Sequence, residues 1–97
     1  MNVTIHKVHV DLTDQQHSLI EKKITRLEKF RDHINAMDLY IKKVHGKKDN
    51  RSVELELKIL VPGQTIVVSE RAPSIEEAID KVLRTASRQL RKYKERK

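Results

Sequence analysis

Alternating apolar and polar positions predict four β-strands in this chain. The clearest is RSVELELKIL, residues 51 to 60, where every second residue from Val53 to Ile59 is apolar and the residues between are Glu or Lys. Such a period of two is typical of a strand with one buried and one wet face. We predict further strands in MDLYIKKVHG, in TIVVSE and in NVTIHKVHV, the last with a bend near Lys7, where the alternation changes phase.

Turn residues separate the second, third and fourth strands in chain order. GKKDN, residues 46 to 50, predicts a polar hairpin loop between the second and third strands. Pro62 and Gly63 follow the third strand, and a type II turn needs a fixed φ followed by a positive one. The third and fourth strands should therefore be antiparallel.

A helical period marks the segment DLTDQQHSLIEKKITRLEKFRDHI. Thr13 can cap its start through the hydroxyl, and Asp14 suits the positive end of the helix dipole. Ile20, Ile24 and Phe30 recur on one face. The pattern predicts one continuous helix of about five turns.

A second helix is predicted in APSIEEAIDKVLRTASRQLRKYKERK. Ser74 followed by Glu77 has the spacing of a capping box. The positions of one face are apolar: Ile75, Ile79, Val82, Leu83, Ala86, Leu90 and Tyr93. The helix continues beyond this apolar stripe, and we expect its last few residues to fray.

The element order is therefore β-α-β-β-β-α, an α+β fold in one domain spanning residues 1–97. The alternating strands leave one sheet face to be covered, and both helices are amphipathic. We predict that the two helices pack on the same face of a four-stranded sheet.

The positive charge of the chain is concentrated at its C-terminal end. The chain has a net charge of +7, and residues 81 to 97 contain eight basic residues against the single acid Glu95, so the excess lies there. On the second helix, the basic residues lie opposite the apolar stripe. A solvated helix face usually mixes both signs. We expect Glu77 and Asp80 to pair with Lys81 and Arg84, which still leaves a cationic stripe suited to a polyanion.

The first helix carries its own basic residues, among them Lys22, Arg26 and Lys29 on one face. Taken alone these are an ordinary solvated face, because Glu21 and Glu28 dilute them. If the helices lie side by side, the two rows form one surface of a size suited to RNA. Only three aromatic residues are present, which favours recognition of folded RNA by backbone and shape over base stacking.

Other classes of function find little support in the sequence. Five scattered histidines without cysteine do not have metal-site spacing, and two glycines cannot build a phosphate loop. No serine lies in a nucleophile motif. We therefore expect no enzyme activity, cofactor, metal or small-molecule substrate. The absence of a long apolar run predicts a soluble, cytoplasmic protein that does not enter a membrane.

The runs LTDQQHSLIEKKITRLEKF, AID and RQLRKYKERK, in this order, resemble the family of ribosome hibernation promoting factors and ribosome-associated translation inhibitors. The resemblance covers essentially the whole chain. It implies a β-α-β-β-β-α fold similar to a double-stranded-RNA-binding domain. An acid and an aromatic that the family has before AID are replaced here by Ser74 and Glu76. The chain resembles the short type of the family.

The resemblance further implies binding to the small ribosomal subunit near the decoding centre, where the protein blocks mRNA and tRNA and keeps idle ribosomes inactive. Whole ribosomes, paired with help from a ribosome-modulating factor, are the further partners it implies. Lys23 and Arg26 match basic family positions of the first helix, and Arg88, Lys92 and Lys94 those of the second. The full predicted RNA-binding set is Lys22, Lys23, Arg26, Lys29, Lys81, Arg84, Arg88, Arg91, Lys92 and Lys94. The alternative is a protein-binding regulator whose basic helix meets an acidic partner, such as a transcription component.

Overall fold

The computed structural model describes residues 3–43 and 53–96, so the predicted loop at 46–50 lies outside the described residues. The predicted order of strands and helices is confirmed, with one addition after the first helix. The elements are β1 (Val3–Val8), α1 (Asp14–Ile24), a 3₁₀ segment (Thr25–His33), β2 (Ala36–Lys43), β3 (Val53–Val61), β4 (Gln64–Ala72) and α2 (Ile75–Glu95).

The four strands form one sheet in the order β1-β2-β3-β4. β1 pairs with β2 in parallel, and the other two pairings are antiparallel. Alternate residues such as Leu39, Leu57 and Val68 lie at paired positions of neighbouring strands and are buried in one core together with the helices. The helices therefore pack on one face, as predicted, because only that face offers a continuous apolar surface.

The prediction of one long first helix was wrong after Ile24. α1 begins as predicted, since the Thr13 hydroxyl accepts a hydrogen bond from Gln16 N–H and the Gln16 side chain accepts one from Thr13 N–H. The chain then tightens into the 3₁₀ segment. Ile24 at the end of α1 and Leu27 and Phe30 in the 3₁₀ segment are buried and spaced by three, which suits a helix with three residues per turn. The 3₁₀ geometry keeps them on one core-facing row.

α2 spans 21 residues and packs its predicted apolar face on the sheet. The Ser74 hydroxyl accepts a hydrogen bond from Glu77 N–H, which is the N-cap half of the predicted capping box. Tyr93 is 7% exposed, and its hydroxyl donates to the carbonyl of Pro62 at 2.7 Å. This hydrogen bond ties the last turn of α2 to the β3–β4 turn, and the helix continues to Glu95.

Within residues 3–43 and 53–96, two backbone positions have positive φ. Gly63 adopts φ +87° in the β3–β4 turn, as the turn prediction requires. His9 has φ +56° directly after β1. β1 itself pairs with β2 without interruption from Val3 to Val8, so the bend predicted near Lys7 lies two residues later.

Candidate nucleic-acid interface

The outward face of α2 is basic and solvent-exposed. Arg84, Arg88 and Arg91 project from successive turns opposite the buried residues, and all three are exposed. Among residues 3–43 and 53–96 none of the three has an acidic partner within ion-pair distance. Their guanidinium groups are therefore available to an external anion, and the planar fork of arginine suits phosphate.

Asp80 organises the junction between α1 and α2. Its Oδ1 accepts a hydrogen bond from Lys23 Nζ at 2.7 Å and lies 3.1 Å from Arg26 Nη1. The Lys23 side chain is only 15% exposed, so most of it is buried where the two helices meet. Our prediction that Asp80 pairs within α2 with Lys81 or Arg84 was wrong, because the carboxylate points across the junction.

This arrangement changes the acidity of Asp80. The hydrogen bond from Lys23 lowers the pKa of the Asp80 carboxyl below its ordinary value of 3.8, and the charges of Lys23 and Arg26 lower it further, against the opposing effect of desolvation. Asp80 is therefore ionised at neutral pH. The junction thus holds Lys23 and Arg26 on the Asp80 carboxylate, and Glu76 lies 4.0 Å from Lys23 Nζ as a second, more distant anion.

The 3₁₀ segment sets the remaining basic residues of the first helical region in rows, because side chains three residues apart eclipse. Arg26 and Lys29 occupy one such row and are exposed. The Lys29 ammonium also lies 5.5 Å from the centre of the Phe30 ring. On another row Arg31 pairs with Glu28 at 3.5 Å. Exposed cationic groups thus remain beside the junction.

Lys22, in the last turn of α1, is exposed.

On α2, the predicted site residues divide between two sides of the helix. Lys94 is exposed near its end. Lys81 is turned towards β4, where its ammonium donates to the carbonyl of Arg71 at 3.1 Å. Lys92 is exposed and lines a groove between α2 and β4. Lys81 is thus already engaged within the protein, while Lys92 borders both the outward face and the groove.

The two helices lie against each other, so the basic rows of both regions belong to one side of the molecule. Such a surface can bind phosphates by charge-assisted hydrogen bonds with little dependence on base sequence. Sequence reasoning missed the role of Asp80. The available signal in the sequence was that Glu76 and Asp80, four residues apart, lie on one side of α2. In the structure Lys23 contacts both, with 4.0 Å between Lys23 Nζ and Glu76 Oε1.

The opposite face of the sheet differs in character. Tyr40 stacks on His6 with ring centres 4.4 Å apart, and the Lys58 ammonium lies 5.2 Å from the Tyr40 ring centre. His6 Nε2 is in turn 2.9 Å from Asp38 Oδ1. Tyr40 is thus engaged by neighbouring side chains.

Two further findings concern the described part of the chain. Between residues 3 and 43 and between 53 and 96, histidine and acidic side chains nowhere gather in a group of three able to hold a metal ion. Over the same ranges, neither α1 nor α2 has the length and apolarity needed to cross a membrane.

The fold and the exposed cationic groups define a small α+β domain with one basic helical face. Comparison with known proteins then places the chain: residues 3–97 match the family of sigma 54 modulation protein and S30EA ribosomal protein, and the chain belongs to this family. It is 32% identical over 90 residues to the ribosome hibernation promotion factor of Deinococcus radiodurans. The match covers 91% of this chain and 46% of that relative, so the chain spans about half its length.

Solved structures share the fold. A ribosomal subunit interface protein from Coxiella burnetii superposes with a TM-score of 0.82 at 22% identity, covering 97% of this chain and 98% of that one. The N-terminal domain of Protein Y from Thermus thermophilus gives a TM-score of 0.78 at 20% identity, covering 96% and 99%. Both likenesses confirm the predicted architecture of two helices on a four-stranded sheet.

Proposed function

We propose that this chain is a ribosome hibernation factor that binds the small ribosomal subunit through the basic face of its two helices. The main structural support for this proposal is the exposed row of Arg84, Arg88 and Arg91, which has no acidic partner among the described residues. Membership of the family and the likeness to a ribosome hibernation promotion factor support rRNA as the polyanion. Cytoplasmic localisation follows from this proposal.

The mechanism is steric. Arginine and lysine side chains hold rRNA phosphates near the decoding centre, and the body of the domain occupies the path of mRNA and tRNA. Idle ribosomes then stay inactive or become paired, with a ribosome-modulating factor as helper. This mechanism requires no reaction step, and affinity depends on the number of phosphate contacts and on salt.

Asp80 supports the proposal by fixing the relative position of the two helices. A flexible junction would let the basic rows of the first helical region and of α2 move independently, and ordering them on binding would cost free energy. The Lys23 and Arg26 contacts to Asp80 establish that order before binding. We therefore assign Lys23 a positioning role, whereas the exposed arginines of α2 contact rRNA.

Sedimentation of extracts from starved cells tests the proposal. At moderate salt the protein should travel with small subunits or whole ribosomes, and Arg88→Glu with Lys92→Glu should leave it at the top of the gradient while the fold is retained. Wild-type protein that never enters the ribosomal fractions would refute the proposal. Nuclease treatment of a pull-down separates the alternative, since a complex with an acidic protein would survive it.

A further inference from the structure

The outer edge of β4 is a second feature of the surface, distinct from the outward face of α2. β4 is the last strand of the sheet, and no other strand of the described residues pairs with its outer side. Natural edge strands are usually short or carry charges or proline that prevent further pairing. β4 has nine residues, and its central run TIVVS, residues 65 to 69, carries no charge. It has the features of an edge open to another strand.

A side-chain contact fixes which backbone groups face outward. The carbonyl of Arg71 accepts a hydrogen bond from Lys81, so it points away from β3. In an antiparallel ladder, the residues that direct N–H and C=O to the neighbouring strand alternate with those that direct them away. Thr65, Val67 and Ser69 share the phase of Arg71 and therefore present their N–H and C=O groups to the open edge. Their spacing matches the hydrogen-bonding pattern of an added strand.

The side chains beside this edge determine what the added strand would carry. On the helix side, α2 and β4 enclose a groove of about 360 Å³, lined by Gln89, Lys92 and Arg96 among others. On the open side of the sheet, Val67 is 53% exposed. An added strand directs alternate side chains to these two sides. Acidic residues would meet Lys92 and Arg96, and apolar residues would meet Val67.

We propose that the outer edge of β4 binds an extended peptide segment in which acidic and apolar residues alternate, by strand addition to the sheet. The segment lies between the β4 backbone and the Lys92 and Arg96 side of α2. This inference goes beyond ribosome binding through the outward arginines, and Lys92 is the one residue that belongs both to the predicted RNA-binding set and to this groove.

Two other occupants fit the edge less well. Pairing of β4 with β4 of a second copy would bring the basic sides of two α2 helices together, and like charges repel. An RNA backbone would place anionic oxygens against the outward carbonyls of Thr65, Val67 and Ser69. A peptide strand supplies N–H groups for these carbonyls, so it alone matches both the backbone and the charge of the groove.

The test uses isotope-labelled protein and an end-blocked decapeptide of alternating valine and glutamate as the probe. We expect saturable shifts and slower hydrogen exchange at the amides of Thr65, Val67 and Ser69. The same peptide with lysine in place of glutamate should bind at least about tenfold more weakly, and so should the peptide with alternate amides N-methylated. No effect at these amides, or equal binding of all three peptides, would overturn the proposal.

Protein variants separate the charge contribution from the backbone contribution. Lys92→Glu with Arg96→Glu should weaken binding by about tenfold, whereas Lys7→Glu with Lys42→Glu, the same change of charge on the opposite half of the sheet, should not. Val67→Pro removes one outward N–H and should also weaken binding. If that variant does not fold, the N-methylated peptide answers the same question. A dimer joined through β4, detected by sedimentation without peptide, would instead assign the edge to a second copy.

Discussion

Replacing Asp80 by asparagine tests how the two helical regions are held together. Asn keeps the size of the side chain but removes the charge that faces Lys23 at 2.7 Å and Arg26 at 3.1 Å. A partly exposed ion pair contributes up to about 1 kcal/mol, after screening by solvent and side-chain ordering are included. Lys23, whose side chain is only 15% exposed, also loses its closest anion. We expect a loss of about 1 kcal/mol of unfolding free energy at neutral pH.

Thermal unfolding followed by circular dichroism measures this loss. For a domain of this size, 1 kcal/mol corresponds to a fall in Tm of about 4–8 °C. Asp32→Asn is the matched control, because Asp32 is exposed and has no ion pair among the described residues. Its Tm should stay close to that of the wild type.

The pH dependence supplies the sharper criterion. The pKa of Asp80 is lowered in the folded protein, so the carboxylate stabilises the fold fully above the ordinary value of 3.8, and this contribution is lost as pH falls through the folded pKa. The difference between wild type and Asp80→Asn should therefore shrink as the pH falls below 3.8 and through the lowered folded pKa. Equal stability at neutral pH, or a difference that persists undiminished in acid, would refute the reasoning.

Three further substitutions test local features of the fold by chemical denaturation. Tyr93→Phe removes the hydrogen bond to Pro62 and should cost about 1 kcal/mol; an unchanged midpoint would deny that bond a role. Gly63→Ala places a side chain at φ +87° and should cost about 1 kcal/mol through backbone strain alone, since no atom lies within 4 Å of the added Cβ. Thr13→Ala should cost about 1 kcal/mol, with Thr13→Asn recovering most of it; equal losses in both would argue against capping.

The predictable part of the fold rests on local chemistry. Alternation from Val53 to Ile59 identified β3 because one face of the sheet is wet, and Gly63 marked the turn because few other residues accept its φ. The helix starts at Thr13 and Ser74 followed from hydroxyl capping, which depends only on residues within one turn. These features depend little on the rest of the chain.

The parts that sequence reasoning missed depend on tertiary contacts. A buried residue every three positions, from Ile24 to Phe30, is compatible with both an α-helix and a 3₁₀-helix, and packing decides between them. The partner of Asp80 could not be read from spacing within α2, since Lys23 is 57 residues away in sequence. The arginines of α2 were predicted from helical geometry. The groove beside β4 could not be predicted in this way, because it depends on how α2 lies over the sheet.

The most direct measurement of the central claim is the salt dependence of binding to purified small ribosomal subunits. Arg88→Gln with Arg91→Gln removes two outward cations, and Lys42→Gln with Lys58→Gln removes two from the opposite sheet face as a control. We predict that the first pair weakens binding by at least about tenfold and reduces the slope of log affinity against log salt by about 2, while the control leaves both nearly unchanged. Equal affinities and slopes for wild type and both variants would contradict binding through the helical face.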